Sequence, residues 1–406
     1  MSFKSRRNIL ICGGGNGAHC IAAIASSTQP EADVNVLTLF ADEAERWRES
    51  SQKAPLTATR SYQDGSAYTF EAHPKIITKD PSLVVPHANI IFIVVPAFTH
   101  QQYIEAIAPH VKDSSIIVGL PARFGFEFQI QRSMGQNAER CAIASFETLP
   151  WVCRIEEFGV SIRIMGTKDM VIASILKGSR YEKDSLNIFN EIQTIFGESP
   201  KIKLLSNYLS KPLVSPDFIH PAILYAKWKD WDGEAVAEKP LFYQGVDHKA
   251  AQYLNDLSEE MISTAREIAR QQSGVDTKDV VPLIDWYKNH YSDQLVDDSS
   301  LMRALQTNKA YDGLVHPMKE TSDGKFVPDF AYRYLSEDVP FGMAVQKGIA
   351  ELAGVKTPVM DEVLTWAQEK IGKEYIIGSK LTGKNVPETL VPQNYDIANI
   401  GDLFKH

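Results

Sequence analysis

The segment from Asn8 to Phe40 restricts the fold more than any other part of the chain. Asn8-Ile-Leu-Ile-Cys12 is short, apolar and bounded by glycine, the pattern of a buried strand. Gly13-Gly14-Gly15-Asn16-Gly17-Ala18 follows, and then an apolar helical stretch from Ala18 to Ser26. Val34 to Phe40 reads as a second strand. Asp42-Glu43-Ala44-Glu45 has capping-box spacing, so a helix is expected to start there. Strand, turn, helix and strand within about 33 residues make one βαβ unit. The glycine run fits G-x-G-x-x-G/A: Gly13 supplies the tight turn, Gly15 lets the backbone approach a pyrophosphate, and Ala18 lets helix and strand pack closely. The helix N-terminus then offers N–H groups and a positive dipole end to phosphates. Gly13, Gly14, Gly15, Asn16, Gly17 and Ala18 are the expected cofactor contacts. The alternative, a glycine-rich turn without ligand, is disfavoured because the run follows a strand and opens a helix.

Further strands are expected at Lys75–Thr78, Ile90–Val95, Ser115–Leu120, Ala142–Phe146, Val160–Met165 and Met170–Ile175, with helices at Gln101–Ala108 and Gly125–Met134. Continuous apolar strands alternating with helices indicate a parallel sheet covered on both faces. The last two strands, joined by a short turn, are expected to form an antiparallel addition. After about Leu204 long helical patterns take over: Pro212–Lys227, Ala250–Gln271, Lys278–His290, Phe341–Ala353 and Pro358–Ile371, the last with Thr357-Pro358 as its start. The expected architecture is an α/β N-terminal Rossmann domain over residues 1–204 and a mostly α-helical C-terminal domain over 205–406.

An NAD-binding unit usually carries an acidic residue at the end of its second strand. Here that strand ends Thr38-Leu39-Phe40-Ala41 and the first carboxylate is Asp42. Asp42 has two readings, a ribose contact and a helix cap. Arg46 and Arg48 beyond it read as helix-surface charges rather than a 2′-phosphate site, which favours NAD over NADP. Phe40 and Asp42 join the expected cofactor contacts. So do Pro96 and Phe98 in Val94-Val95-Pro96-Ala97-Phe98, at a strand end where ligands of such sheets bind.

Hydride transfer to a carbonyl or imine needs a proton donor or acceptor that works near neutrality, and histidine suits that. Of ten histidines, His220 is the best placed, in an apolar segment that opens a helix just past the domain boundary. His316, in Gly313-Leu-Val-His-Pro317, is its rival, and His19 and His100 lie near the cofactor loops. Arg333-Tyr-Leu-Ser-Glu337-Asp338 is a second constellation: an arginine grips a substrate carboxylate with two parallel hydrogen bonds, and a carboxylate orients a histidine. The bland reading of the same run is a charged helix surface.

Several segments together resemble the octopine/nopaline dehydrogenase family, its invertebrate branch above all. They are Cys12-Gly-Gly-Gly-Asn-Gly-Ala-His19, Leu37-Thr-Leu-Phe-Ala-Asp-Glu-Ala-Glu-Arg-Trp47, Ser145-Phe-Glu-Thr-Leu-Pro-Trp151, His220-Pro-Ala-Ile-Leu224, Asn308-Lys309 leading into Gly313–Pro317, Pro328-Asp-Phe, Arg333-Tyr-Leu, and Trp366–Tyr375. They lie in order along nearly the whole chain. The resemblance implies NADH-dependent reductive condensation of a 2-oxo acid, usually pyruvate, with an amino acid through an imine, in a cleft between a Rossmann domain and a helical domain. It implies His220 as the catalytic histidine, Asp338 as its partner and Arg333 as the substrate-carboxylate arginine. Glu147, with Cys153 and Trp286, is implied at the amino-acid site. A carboxylate there suits a guanidinium, so arginine is the first expectation. Tauropine, alanopine, strombine or β-alanopine formation are the alternatives, and a 2-hydroxy-acid dehydrogenase without an amine substrate is the second. A monomer that regenerates NAD in anaerobic glycolysis is the further implication.

The remaining composition fits. A net charge of −9 argues against nucleic acid or an anionic membrane as partner. Four cysteines, all in the first half, with no C-x-x-C pair, indicate neither a disulfide framework nor a metal site. No apolar run is long enough for a signal peptide or membrane span, and Leu403-Phe404-Lys405-His406 is no retention or peroxisomal signal, so the expected location is the cytoplasm.

Overall fold

A computed structural model describes residues 6–61, 66–182, 184–205 and 211–403. Phe404-Lys405-His406 lie outside them. The chain divides into two compact units, Met1–Ala122 with Phe126–Tyr208, and Arg123–Gly125 with Leu209–His406. Arg123-Phe124-Gly125, assigned by sequence to the first part, thus pack with the second.

The first unit is built on an eight-stranded sheet. Its strands are β1 (Asn8–Cys12), β2 (Asp33–Leu37), β5 (Ile77–Thr78), β6 (Ile90–Ile93), β7 (Ile116–Gly119), β8 (Ala142–Phe146), β11 (Met170–Lys177) and β12 (Lys201–Leu204), in the order β12-β11-β8-β7-β6-β1-β2-β5. From β5 to β8 all pairs are parallel, with the order of strand addition reversing about β1, the doubly wound order of a Rossmann domain. Alternation along the strands builds two cores. Ile9, Ile11, Ile90, Phe92, Ile116 and Val118 face one, while Leu10, Cys12, Ile91, Ile93 and Ile117 face the other. Apolar side chains on both faces are why these strands read as continuous apolar runs.

A second sheet, β4-β3-β10-β9, comprises β3 (Leu56–Ser61), β4 (Ala67–Ala72), β9 (Trp151–Glu157) and β10 (Ser161–Thr167). Helix α1 (Asn16–Thr28) contacts strands of both sheets, and every residue from Gly17 to Ala25 is buried. That double cover explains its nearly uniform run of small apolar residues. The expected antiparallel pairing of the last two strands does not occur. β10 pairs with β9 and β3, whereas β11 runs antiparallel to β8. β10 buries alternate residues, Ile162 and Ile164 against exposed Arg163, as suits a one-faced sheet. β11 has a continuous buried run, Val171–Ser174, as suits the larger sheet.

Helices α2 (Glu43–Ser51), α3 (His100–Ile107), α4 (Phe126–Met134) and α5 (Ser185–Phe196) complete this unit. α2 starts where the capping box places it, but Asp42 makes no cap bond and instead pairs with Arg46 Nε at 2.9 Å.

The second unit holds α6 (Lys211–Val214), α7 (Ile219–Trp228), α8 (His248–Gln271), α9 (Leu283–Tyr291), α10 (Leu301–Thr307), α11 (Arg333–Ser336), α12 (Ala344–Ala353) and α13 (Pro358–Lys370). The expected helix Pro212–Lys227 is two helices, because Pro216 and its neighbours break it. α8 is the long organiser: Leu254, Leu257, Met261, Ala265 and Ile268 recur at helical spacing and face α7, α12 and α13. Asp247 caps it by accepting the Ala250 N–H at 2.8 Å, a contact worth about 1 kcal/mol. At α13 the expected cap is replaced. Glu260 of α8 accepts the Val359 and Met360 N–H groups at 2.8 and 3.0 Å, while Thr357 Oγ1 accepts from buried Lys347. No helix among the described residues is long and apolar enough to cross a membrane.

Candidate active site

The glycine loop is shaped by close approach at some positions and by open space at another. Gly13 has φ +127°, and a Cβ there would lie 2.5 Å from the Val94 carbonyl oxygen. A Cβ on Gly17 would lie 2.9 Å from both Leu149 and Val94 side chains. At Gly15, the N-cap of α1, a Cβ would meet nothing within 4 Å, and no side chain caps the helix. Its first N–H groups therefore have no capping side chain, and a pyrophosphate fits there. Ala18 is buried, and the Asn16 side chain accepts the Ile155 N–H at 2.8 Å, tying the helix start to β9.

His19 anchors the same loop. Its Nε2 accepts the Gly159 N–H at 3.0 Å, so Nδ1 carries the proton and donates to the Gly15 carbonyl at 3.1 Å. The ring stacks on Trp47 at 3.7 Å, and burial pulls its pKa down to about 4. It is a neutral structural histidine. His100 is also buried, beside the Val95 carbonyl.

Among the acidic residues near the loop, Asp42 points to Arg46 and is largely exposed. Glu43 lies closer: its Oε2 accepts from Thr38 Oγ1 at 2.5 Å and stands 2.0 Å from where a Gly14 Cβ would be. Phe40 and Phe98, beyond the carboxyl ends of β2 and β6, are 71% and 58% exposed. Pro96 caps the short turn that carries Phe98. Glu147 follows β8 and is buried, its Oε1 accepting the Ile172 N–H at 3.1 Å. Cys153 lies on β9, buried against Cys20.

The second unit holds the histidine site. Ile219 and His220 open α7, and Pro221 is accommodated in the first turn, where its missing N–H costs nothing. His220 Nδ1 lies 2.5 Å from Asp338 Oδ2, and Nε2 lies 2.6 Å from the Tyr243 hydroxyl. Tyr334 stacks on the ring at 3.9 Å, nearly coplanar. Burial pushes the Tyr243 phenol well up, so it stays a hydroxyl beside Nε2. Nδ1–H donates to the Asp338 carboxylate, which fixes the ring. Burial alone would push the Asp338 carboxyl up, but the Arg123 guanidinium and His220 outweigh it and hold it below the usual carboxylate range. Asp338 directly precedes a π-helical turn, Val339–Met343.

Arg333 opens α11. It is half-exposed and pairs with buried Glu337 at 2.9 Å, leaving its guanidinium on the surface of the unit. Trp286, on α9, is buried and stacked on His290 at 4.0 Å. The rival His316 is buried, accepts Trp228 Nε1–H at 3.1 Å, and has its pKa pulled down to about 3 by burial. It is a packed neutral ring. Among the described residues no group of acidic, histidine and cysteine side chains is arranged to hold a metal.

The structure thus joins His220 to Asp338, with Arg333 five residues upstream at the start of α11. Sequence reasoning missed Arg123, Asp217, Tyr243 and Tyr334. Arg123 had one visible signal, a lone charge in the otherwise apolar run Leu120-Pro-Ala-Arg-Phe-Gly125. Tyr243 had none, since it meets His220 only through the fold.

The chain is similar to several known proteins. Residues 213–371 match the family described as NAD/NADP octopine/nopaline dehydrogenase, alpha-helical domain. An opine dehydrogenase of Haliotis discus hannai is 47% identical over 97% of this chain and 98% of its own. An octopine dehydrogenase of Mizuhopecten yessoensis is 45% identical, covering 98% of each chain. A tauropine dehydrogenase of Arabella iricolor is 42% identical over 98% of this chain and 99% of its own. A solved octopine dehydrogenase with NADH and L-arginine superposes with a TM-score of 0.87 at 43% identity. One with NADH and pyruvate gives 0.86 at 42%, and both cover 98% of this chain and 99% of theirs.

Proposed function

The chain belongs to the octopine/nopaline dehydrogenase family, and we propose that it condenses pyruvate with L-arginine to octopine, with His220 as its acid/base group. It is an NADH-using opine dehydrogenase; the amine and the residue roles are the proposal. The cofactor supplies the hydride when bound. The residues of this chain do the rest.

The observation that carries the reading is the His220–Asp338 pair at 2.5 Å. With Nδ1 committed to Asp338, Nε2 is the nitrogen left for chemistry, and an arriving amine takes the place of the Tyr243 hydroxyl there. An amino acid is mostly an ammonium ion near neutrality and cannot attack a carbonyl until it loses a proton. His220 accepts that proton, and Asp338 stabilises the resulting imidazolium. The amine adds to the pyruvate carbonyl carbon. The proton returns from His220 to the departing oxygen as water leaves, which gives the protonated imine. Reduction of the imine gives the secondary amine. Arg333 holds the pyruvate carboxylate with a bidentate fork, which orients the imine carbon and supplies much of the rate in a two-substrate reaction.

Two observations support arginine. A carboxylate at Glu147, the position the family resemblance implies for the amino-acid site, suits a guanidinium. The solved octopine dehydrogenase that holds L-arginine is similar throughout. The tauropine dehydrogenase, almost as similar, makes taurine the second reading. The same proposal includes a cytoplasmic monomer that reoxidises NADH when oxygen is short. The test is product identity. The purified enzyme is given pyruvate and NADH with arginine, taurine, alanine, glycine or β-alanine in turn, and products are identified by mass. Octopine as the preferred product upholds the reading; a preference for taurine or a small neutral amino acid replaces the amine and leaves the chemistry.

A further inference from the structure

The second unit contains three residues from far upstream, Arg123-Phe124-Gly125. They are firmly seated. Phe124 is buried against the Tyr395 ring, and at Gly125, φ +84°, a Cβ would lie 2.6 Å from the Tyr395 hydroxyl. The seating delivers one charged side chain to one place. Arg123 is 11% exposed, and it bridges two buried carboxylates, with Nη2 2.6 Å from Asp338 Oδ1 and Nη1 in contact with Asp217.

Asp217 is held in turn. It accepts from Ser215 Oγ at 2.5 Å. Gly342, inside the π-helical turn after Asp338, leaves room for it: a Cβ on Gly342 would lie 2.5 Å from the Asp217 Cβ. The absence of a side chain at Gly342 and the widened turn let Asp217 and Asp338 approach one guanidinium from two sides. The two Asp338 oxygens are then divided, Oδ1 to Arg123 and Oδ2 to His220.

We infer that Arg123 is a positioning residue of the reaction, fixing Asp338 on His220 while Asp217 fixes the guanidinium. The inference rests on the reading of His220 and Asp338 as the acid/base pair. A carboxylate gripped on one side by a fixed cation cannot rotate off the imidazole, and its charge survives burial. The charged and titratable groups about Asp338 are Arg123, His220 and Arg333, with Asp217, Glu337, Tyr243 and Tyr334 around them.

The test measures the Asp338 carboxyl directly, by carbon NMR of aspartate-labelled enzyme, with the signal assigned through Asp338→Asn. Arg123→Met is expected to raise the titration midpoint of Asp338 by about one unit or more, the size of effect an opposite charge has on a carboxylate. It should lower kcat by about tenfold or more while NADH affinity stays within about twofold, as a loss of positioning does. Arg123→Lys should recover part of both. An unchanged midpoint in folded Arg123→Met overturns the inference. If that variant does not fold, Arg123→Lys decides: a midpoint raised above the parent's supports the inference, and an unchanged one overturns it. These readings do not depend on the amine used, so an enzyme that failed to make an opine would be seen separately, as lost NADH oxidation in the parent.

Discussion

Both ring nitrogens of His220 are occupied, Nδ1 by Asp338 and Nε2 by the Tyr243 hydroxyl, so the ring has one tautomer and one reactive edge. His220→Ala is expected to lower turnover by about 10²-fold or more, the loss that follows removal of a general acid/base. NADH oxidation measures it, and near-parental turnover would contradict the assignment. Arg333 has a different signature. A half-exposed guanidinium that grips a carboxylate should show in the pyruvate KM, so Arg333→Ala is expected to raise that KM about tenfold or more with NADH affinity unchanged. An unchanged pyruvate dependence would refute the role. His220 and Asp338 could be singled out in the sequence because each stands in a short distinctive run, and the structure brings them into contact. Arg123 and Tyr243 could not, since their partners lie 215 and 23 residues away and only packing brings them together.

At the scale of elements, the β1–loop–α1 unit was legible because its signals are local: an apolar strand, glycines at fixed offsets and a helix of small residues. The second sheet was not. β3 and β4 put Thr57, Thr59, Thr69 and Glu71 on their open face but Arg60 and Tyr68 on the covered one, so their alternation is weak, and β9 is polar in its second half. The loop gives a test that separates binding from folding. Gly15 occupies an N-cap where aspartate is favoured and where a Cβ meets no atom. Gly15→Asp should leave the melting temperature unchanged or slightly raised. It should weaken NADH binding about tenfold or more, by setting a carboxylate where the pyrophosphate approaches. Fluorescence titration and a thermal melt on one sample measure both; intact NADH affinity would remove the loop from the cofactor site.

Across the whole molecule, two buried neutral histidines link stability to pH. Burial holds His19 at about 4 and His316 at about 3, below the ordinary 6.5. A histidine with a depressed folded pKa contributes full stability above its unfolded value and loses it as pH falls toward the folded one. The melting temperature should therefore fall between about pH 6.5 and 4, and less steeply in His316→Gln; a flat profile there would contradict the burial of these rings. The central claim is chemical, however: the enzyme reduces an imine built from two substrates. The most direct measurement is NADH oxidation with pyruvate, in the presence and absence of arginine. Oxidation that requires both, with octopine accumulating in step with NAD, is the predicted result. Equal oxidation with pyruvate alone would contradict it and make the enzyme a 2-oxo-acid reductase.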